Sequence, residues 1–188
     1  FAQYIDLSRA DGLENVDFVI WGETASPFNL AYDFEHRLLA QEAVPPKGYL
    51  LAGMLQDGYD TNTGDYLLYN SLVAMDYFGQ IHGVYSKNHL VPFGEYIPFR
   101  QFLPKWINPL TNMVGQFAKG EKYQTIKLDD YAEFAPLICY EVIFSGQIVR
   151  KQDKPKWAVV LTNDGWYGIS AGPYQHLVAA QMRAIEEG

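Results

Sequence analysis

The single cysteine of this chain, Cys139, stands where an apolar segment (FAPLIC) turns polar, two residues before Glu141. One cysteine cannot form a disulfide within the chain, so Cys139 either packs or reacts. Packing is the commoner use, because a free cysteine behaves as a small hydrophobe. Reaction would need help, since a thiol with an unperturbed pKa of about 8.5 is mostly protonated at neutral pH. A nucleophilic Cys139 therefore requires a base for its proton and a cation for the oxyanion that follows.

Lys87 and Glu23 are the candidates for these two roles. Lys87 ends an apolar strand-like segment and precedes proline and glycine turns, so its ammonium can be aimed at a site, although most lysines lie on the surface. Glu23 follows the segment VDFVIW at the carboxyl end of a strand, where α/β sheets place their sites; a first-turn helix carboxylate is the alternative. The histidines lack the spacing of a zinc site, and two of them, His36 and His176, are interpreted as surface or cap residues.

The elements that must position these residues alternate between strands and helices. Short runs rich in β-branched and aromatic residues predict the strands, and Gly79-Gln80 predicts a hairpin between two of them. The predicted strands are 16–21, 49–55, 69–78, 81–86, 134–139 and 157–162, and the predicted helices are 32–43, 145–151 and 174–187. This order predicts an α/β layered sandwich.

Composition limits the function classes. With 188 residues, 48% apolar and 19% charged, the chain fits one globular domain. Its net charge of −8 and the lack of a basic stripe argue against nucleic acid as a partner. No apolar run reaches the roughly 20 residues that span a bilayer, and no signal peptide opens the chain. Because the chain starts at Phe1 and stops within a helical pattern, we expect a fragment.

The segment 92–120 breaks the alternation of strands and helices. It contains four prolines and is rich in Phe, Trp, Leu and Ile. A structureless loop of this length is uncommon in a compact domain, which favours an arm or lid that meets an apolar partner such as lipid. A proline-broken segment that only covers the core is the alternative.

A glutamate, a lysine and a cysteine at three strand ends, in that chain order, resemble the nitrilase (carbon–nitrogen hydrolase) superfamily. The sequence motifs around these residues are more specific, and they resemble those of the bacterial apolipoprotein N-acyltransferase family. They are KNHLVPFGEYIP at 87–98, ICYE at 138–141, LTNDGWYG at 161–168 and QHLVAAQMRAIEEG at 175–188. The resemblance extends from about residue 16 to residue 188.

The resemblance implies an α-β-β-α sandwich over residues 1–188, an incomplete domain without the family's flanking membrane helices. It assigns the general base to Glu23, oxyanion stabilisation to Lys87 and the thioester nucleophile to Cys139. Three further residues are expected to support the active site, namely Glu95, Tyr140 and Glu141. It implies neither a cofactor nor a metal.

The implied reaction moves a fatty acyl chain from a phospholipid, through a cysteine thioester, to the N-terminal amine of a diacylglyceryl-cysteine apolipoprotein. The implied location is the bacterial inner membrane, with the catalytic domain on the periplasmic side. Flanking helices, and possibly the 92–120 arm, would contact the membrane. Two alternatives stay open: a soluble amidase that uses the same triad with water as the second nucleophile, and a non-catalytic domain that binds lipid or lipoprotein.

Overall fold

Two β-sheets and three α-helices make up the fold in the computed structural model, which describes residues 1–60, 64, 66–99, 117–122, 124–147 and 154–188. In chain order the elements are α1 (Ala2–Ser8), β1 (Phe18–Ser26), α2 (Phe34–Gln41), β2 (Tyr49–Tyr59), β3 (Tyr66–Asp76), β4 (Ile81–Ser86), β5 (Ile126–Leu128), β6 (Tyr131–Ile138), β7 (Trp157–Leu161) and α3 (Gly172–Glu187). Short 3-10 helices span Leu13–Asn15, Cys139–Ile143 and Asp164–Tyr167.

The strand directions place the carboxyl ends of several strands together. The first sheet has the order β1-β2-β3-β4, with β1 and β2 parallel and the other pairs antiparallel. Strand β4 therefore runs in the same direction as β1, so both end at the same edge of this sheet. The second sheet has the order β5-β6-β7, with β6 parallel to β7. Its β7 end meets the first sheet where the Glu23 N–H lies 3.4 Å from the Thr162 carbonyl oxygen.

The hydrophobic core lies on both faces of the first sheet. Between the sheets, Leu51 and Leu72 pack with Phe134 and Ile138 of β6. On the opposite face, Ile5 of α1 and Ala40 of α2 pack with Trp21 of β1 and Met54 of β2 in a second cluster. Helix α3 packs against the 3-10 helices that follow β6 and β7. The predicted α/β sandwich is confirmed.

Most predicted elements occur with shifted ends. The predicted hairpin of β3 and β4 is present, but its connection spans residues 77–80, whereas the sequence predicts only Gly79-Gln80. Helix α2 is shorter than 32–43, because the Asp33 side chain caps it by accepting from the His36 N–H. Residues 145 and 146 form a turn where the sequence predicts a helix. The remainder of that prediction, from residue 148, lies outside the described residues.

The predicted 92–120 arm also lies largely outside the described residues, since 100–116 are not among them. At its two described ends, the Phe117 N–H donates to the Glu95 carbonyl and the Gly120 N–H donates to the Lys87 carbonyl. Within the part of the chain that the structure describes, no helix has the length and apolar character needed to cross a bilayer.

Candidate active site

The sequence predicts that Glu23 follows the first strand. In the structure Glu23 lies within β1, where the pairing with β2 becomes irregular. Strands β1 and β2 pair regularly from Phe18 to Trp21, and the register shifts before Ser26. Thr24, directly after the glutamate, has a left-handed φ of 51°. Opposite lies Gly53, where a Cβ atom would stand 2.2 Å from the Gly22 oxygen and 2.8 Å from the Glu23 Cα. A bulge of this kind re-aims a side chain, and here it supports the close strand approach that only glycine permits.

The Glu23 carboxylate is buried and its direction is fixed by two donors. The side chain of Asn70 donates to Oε1 at 2.7 Å, and the Asn163 N–H donates to Oε2 at 3.0 Å. The ammonium of Lys87 lies 3.7 Å from Oε1. Because the residue is only 7% exposed, these contacts replace most of its hydration.

Lys87 directly follows β4 and is 1% exposed. Its backbone N–H donates to the Asn70 carbonyl at 2.8 Å, and its Nζ donates to Glu95 Oε1 at 2.8 Å. Burial alone would lower the pKa of the lysine, but the carboxylates of Glu95 and then Glu23 oppose it and raise the pKa above its usual value. The side chain therefore presents a positive charge inside the site at neutral pH.

The backbone of Val91 in turn fixes the position of Glu95. Its Oε2 accepts from the Val91 N–H at 2.9 Å, and its own N–H donates to the Val91 carbonyl. Phe93, in the same tight loop, has a left-handed φ of 61°. The structure thus places Glu95 as the main hydrogen-bond partner of Lys87, within the predicted site.

Cys139 directly follows β6 and begins the 3-10 helix Cys139–Ile143 with a left-handed φ of 49°. Burial and then the charge of Glu23 raise the pKa of its thiol, while Lys87, the Thr162 hydroxyl and the Tyr140 backbone N–H lower it by less. The net direction keeps Cys139 a neutral thiol at neutral pH. Attack by its sulfur therefore needs a base, and the Glu23 carboxylate is close enough to affect the titration of the thiol.

Glu141 connects the turn at Cys139 with the turn after Lys87 by hydrogen bonds. Its Oε1 accepts from the Tyr85 hydroxyl and from the N–H groups of Asn88 and His89, all within 2.9 Å. Its Oε2 accepts from the Ile138 N–H at 2.9 Å. Burial and the Glu141 charge raise the pKa of Tyr85, which therefore stays a donor. Glu141 thus acts through the backbone on either side of the site.

Tyr140 contributes differently from Glu141. Its backbone N–H lowers the pKa of the Cys139 thiol. Its ring packs edge-on against Phe144, with 5.1 Å between the ring centres. Of the residues that the sequence singles out, Glu23, Lys87, Glu95 and Cys139 meet at one place, and Tyr140 and Glu141 support the turn that follows β6.

Several polar residues of the site were not predicted. Asn70 could have been noticed as an amide within a mostly apolar strand. Asn163 and Asp164 belong to the NDGW motif. The interpretation of His176 as a surface or cap residue is wrong, because it is 7% exposed and its Nε2 lies 3.0 Å from the Cys139 carbonyl oxygen. Among the described residues, no group of three His, Cys, Asp or Glu side chains is arranged to hold a metal ion.

Comparison with known sequences shows the family of this chain. Residues 9–188 match the sequence profile of carbon-nitrogen hydrolases. The chain belongs to this family. It is 39% identical over 195 residues to an apolipoprotein N-acyltransferase of Rhodopseudomonas palustris, an alignment that covers 99% of the chain and 36% of that protein. A protein of the same name from Bradyrhizobium diazoefficiens is 38% identical, over 96% of the chain and 34% of the relative. The chain thus spans about a third of the length of these relatives.

Solved structures show the same fold at low identity. A nitrilase-superfamily protein of Saccharomyces cerevisiae superimposes with a TM-score of 0.61 at 17% identity, over 98% of this chain and 64% of that one. A carbon-nitrogen hydrolase of Helicobacter pylori gives a TM-score of 0.58 at 15% identity, over 97% and 63% respectively. The predicted nitrilase-like fold is confirmed.

Proposed function

We propose that this chain is the catalytic domain of an acyltransferase. It moves a fatty acyl chain from a phospholipid to the N-terminal amine of a diacylglyceryl-cysteine apolipoprotein, through a thioester on Cys139. The observation that carries the proposal is the convergence of one thiol, one buried ammonium and one buried carboxylate in Cys139, Lys87 and Glu23. The names of the relatives support the choice of an apolipoprotein acceptor and of acyl transfer to nitrogen.

In the first step, Cys139 Sγ attacks the carbonyl carbon of the phospholipid ester as Glu23 takes the thiol proton. The Lys87 ammonium donates to the oxyanion of the tetrahedral intermediate. When the intermediate collapses, the ester C–O bond breaks and the lysophospholipid oxygen takes the proton from Glu23. The acyl group stays on sulfur as a thioester, and Glu23 is again a carboxylate.

In the second step, the neutral α-amine of the acceptor attacks the thioester carbonyl and gives a proton to Glu23. Lys87 again stabilises the oxyanion. Collapse forms the amide and breaks the C–S bond, and the proton on Glu23 returns to the sulfur. The raised pKa of the Cys139 thiol suits this last transfer, because the leaving sulfur then takes up the proton readily. Two moderate barriers replace one difficult transfer.

The substrates determine the proposed location, which is the periplasmic side of the bacterial inner membrane. Both the acyl donor and the lipid-modified acceptor carry chains that reside in a bilayer. In this proposal, helices flanking the domain hold it at the membrane. The composition of the 92–120 segment, rich in aromatic and apolar residues, supports a contact with acyl chains and a role in keeping water from the thioester.

The test is intact-protein mass spectrometry of the full-length protein after incubation with phospholipid in detergent. The proposal expects a mass gain of one fatty-acyl group that hydroxylamine removes and that Cys139→Ala lacks. Addition of a synthetic diacylglyceryl-cysteine peptide should then move the acyl group to the peptide amine. Release of free fatty acid without acylated peptide would favour the amidase-type hydrolase, and no acyl adduct on folded protein would overturn the proposal.

A further inference from the structure

The peptide unit between Cys139 and Tyr140 is held at its carbonyl oxygen, which lies 3.0 Å from His176 Nε2. The N–H of the same peptide unit lowers the pKa of the Cys139 thiol. A carbonyl oxygen can only accept, so His176 Nε2 carries a proton and donates it. The contact joins α3 to the cysteine turn across 37 residues of sequence.

The other nitrogen of the His176 ring faces two polar side chains. Nδ1 lies 3.2 Å from Asp164 Oδ1 and 3.4 Å from the Thr162 hydroxyl, which donates to the same Asp164 oxygen at 3.0 Å. The ring of Tyr167 lies 5.9 Å away, centre to centre. Asp164 is the charged group, and Thr162 and Tyr167 the hydroxyl-bearing groups, that face the histidine from the end of β7 and the following 3-10 helix.

Fixing the carbonyl has a direct consequence for the sulfur. A trans peptide unit is planar, with its oxygen and its N–H on opposite sides, so the direction of one sets the direction of the other. By holding the Cys139 oxygen, His176 also sets the direction of the Tyr140 N–H, beside the nucleophilic sulfur. The left-handed backbone of Cys139 is unfavourable for a residue with a Cβ and persists only where its surroundings fix it.

We propose that His176 is a positioning residue for the nucleophile: its Nε2–H fixes the Cys139 carbonyl and thereby directs the Tyr140 N–H onto the sulfur. This inference rests on the proposed role of Cys139. Asp164 and Thr162 lie at Nδ1, on the side of the ring away from the Cys139 carbonyl.

The experiment compares His176→Gln with His176→Leu in the full-length protein. The glutamine amide nitrogen occupies about the place of Nε2 and can still donate, whereas leucine cannot. We measure the rate of Cys139 alkylation by iodoacetamide across pH, and kcat and KM for acyl transfer. With leucine, we expect the pH midpoint of alkylation to rise and kcat to fall about 10- to 100-fold with little change in KM, because the sulfur loses a donor and its alignment. Glutamine should restore most of both, and Gln175→Leu, at an exposed position of α3, should change neither.

Wild-type alkylation and kcat in folded His176→Leu would overturn the proposal, as would equal losses in the glutamine and leucine variants. If leucine prevents folding, His176→Asn takes its place, because its amide is one methylene too short to reach the carbonyl. Alkylation does not require acyl transfer. Failure of the proposed function, seen as no acyl adduct on the wild type, is therefore distinguishable from failure of the positioning role.

Discussion

The side-chain amide of Asn70 donates a 2.7 Å hydrogen bond to the Glu23 carboxylate, and both residues are buried. The same asparagine accepts from the Lys87 N–H through its backbone carbonyl. One residue of β3 therefore connects the proposed base with the proposed oxyanion-stabilising cation. Without it, the Glu23 carboxylate would be free to close the 3.7 Å gap to Lys87 and form a tighter ion pair.

Asn70→Leu removes the amide donor and keeps the side-chain volume. A hydrogen bond to a charged group contributes about 1.5–3 kcal/mol, so we expect kcat to fall by roughly 10- to 100-fold with KM little changed. Steady-state acyl transfer measures this, with urea unfolding to confirm that the variant folds. Asn15→Leu is the matched control, because Asn15 makes a 2.9 Å contact to Glu14 on the surface. Wild-type kcat in Asn70→Leu would show that Glu23 needs no such restraint.

The pH dependence of Cys139 alkylation should respond in opposite directions to the loss of each neighbour. Burial and the charge of Glu23 raise the pKa of the thiol, and Lys87 lowers it. Since the thiolate is the form that reacts, the wild-type rate should rise with pH and reach its midpoint above that of a free cysteine peptide. Glu23→Gln removes a negative charge and should lower the midpoint, whereas Lys87→Met removes a positive charge and should raise it.

The same two variants should both lose acyl transfer, by a factor on the order of 10²–10⁴. Glu23→Gln would then combine a more readily alkylated thiol with a much slower enzyme, which is the signature of a lost base. Alkylation reactions that are quenched at set times and analysed by mass spectrometry give the pH midpoints of alkylation. Parallel shifts of the two midpoints would argue that the charges of Glu23 and Lys87 do not act on the sulfur.

The sequence predicts the candidate site because its residues stand at the ends of apolar strands, and parallel strands bring such ends together. The types of Glu23, Lys87 and Cys139 further limit the chemistry. What the sequence did not show depends on contacts between distant segments. The β1 irregularity requires Gly53 on a neighbouring strand, and helical periodicity could not reveal that His176 meets a carbonyl 37 residues earlier. Strand β5, with three residues, is too short to carry a pattern.

Gly53→Ala should displace Glu23 without changing any polar group. An added Cβ would stand 2.2 Å from the Gly22 oxygen, a distance that forces β1 away from β2. We expect a loss of about 1–3 kcal/mol in the free energy of unfolding, typical of overpacking, together with a fall in kcat. Gly58→Ala is the control on the same strand, because its nearest neighbour would be a Tyr69 ring carbon at 3.6 Å. Urea unfolding and acyl-transfer rates are measured for both variants. Equal stability and equal kcat of the two would contradict the close approach of β1 to Gly53.

Glu141→Gln tests the carboxylate that joins the two turns. Three donors meet Oε1 and the Ile138 N–H meets Oε2, so a glutamine amide must turn its own donor towards at least one of them. A buried backbone N–H left without an acceptor costs about 1–3 kcal/mol. We therefore expect a loss of that size in the free energy of unfolding, measured in urea.

The activity of Glu141→Gln separates two roles for this residue. Ile138 directly precedes Cys139, so a shifted turn should lower kcat even at temperatures where the variant is fully folded. Glu121→Gln, at an exposed position where the side chain accepts a 3.3 Å hydrogen bond from Gln124, should change neither quantity. If kcat stays at the wild-type value while stability falls, Glu141 holds the fold but not the nucleophile. If both fall together, the carboxylate also sets the geometry in which the sulfur meets the acyl donor.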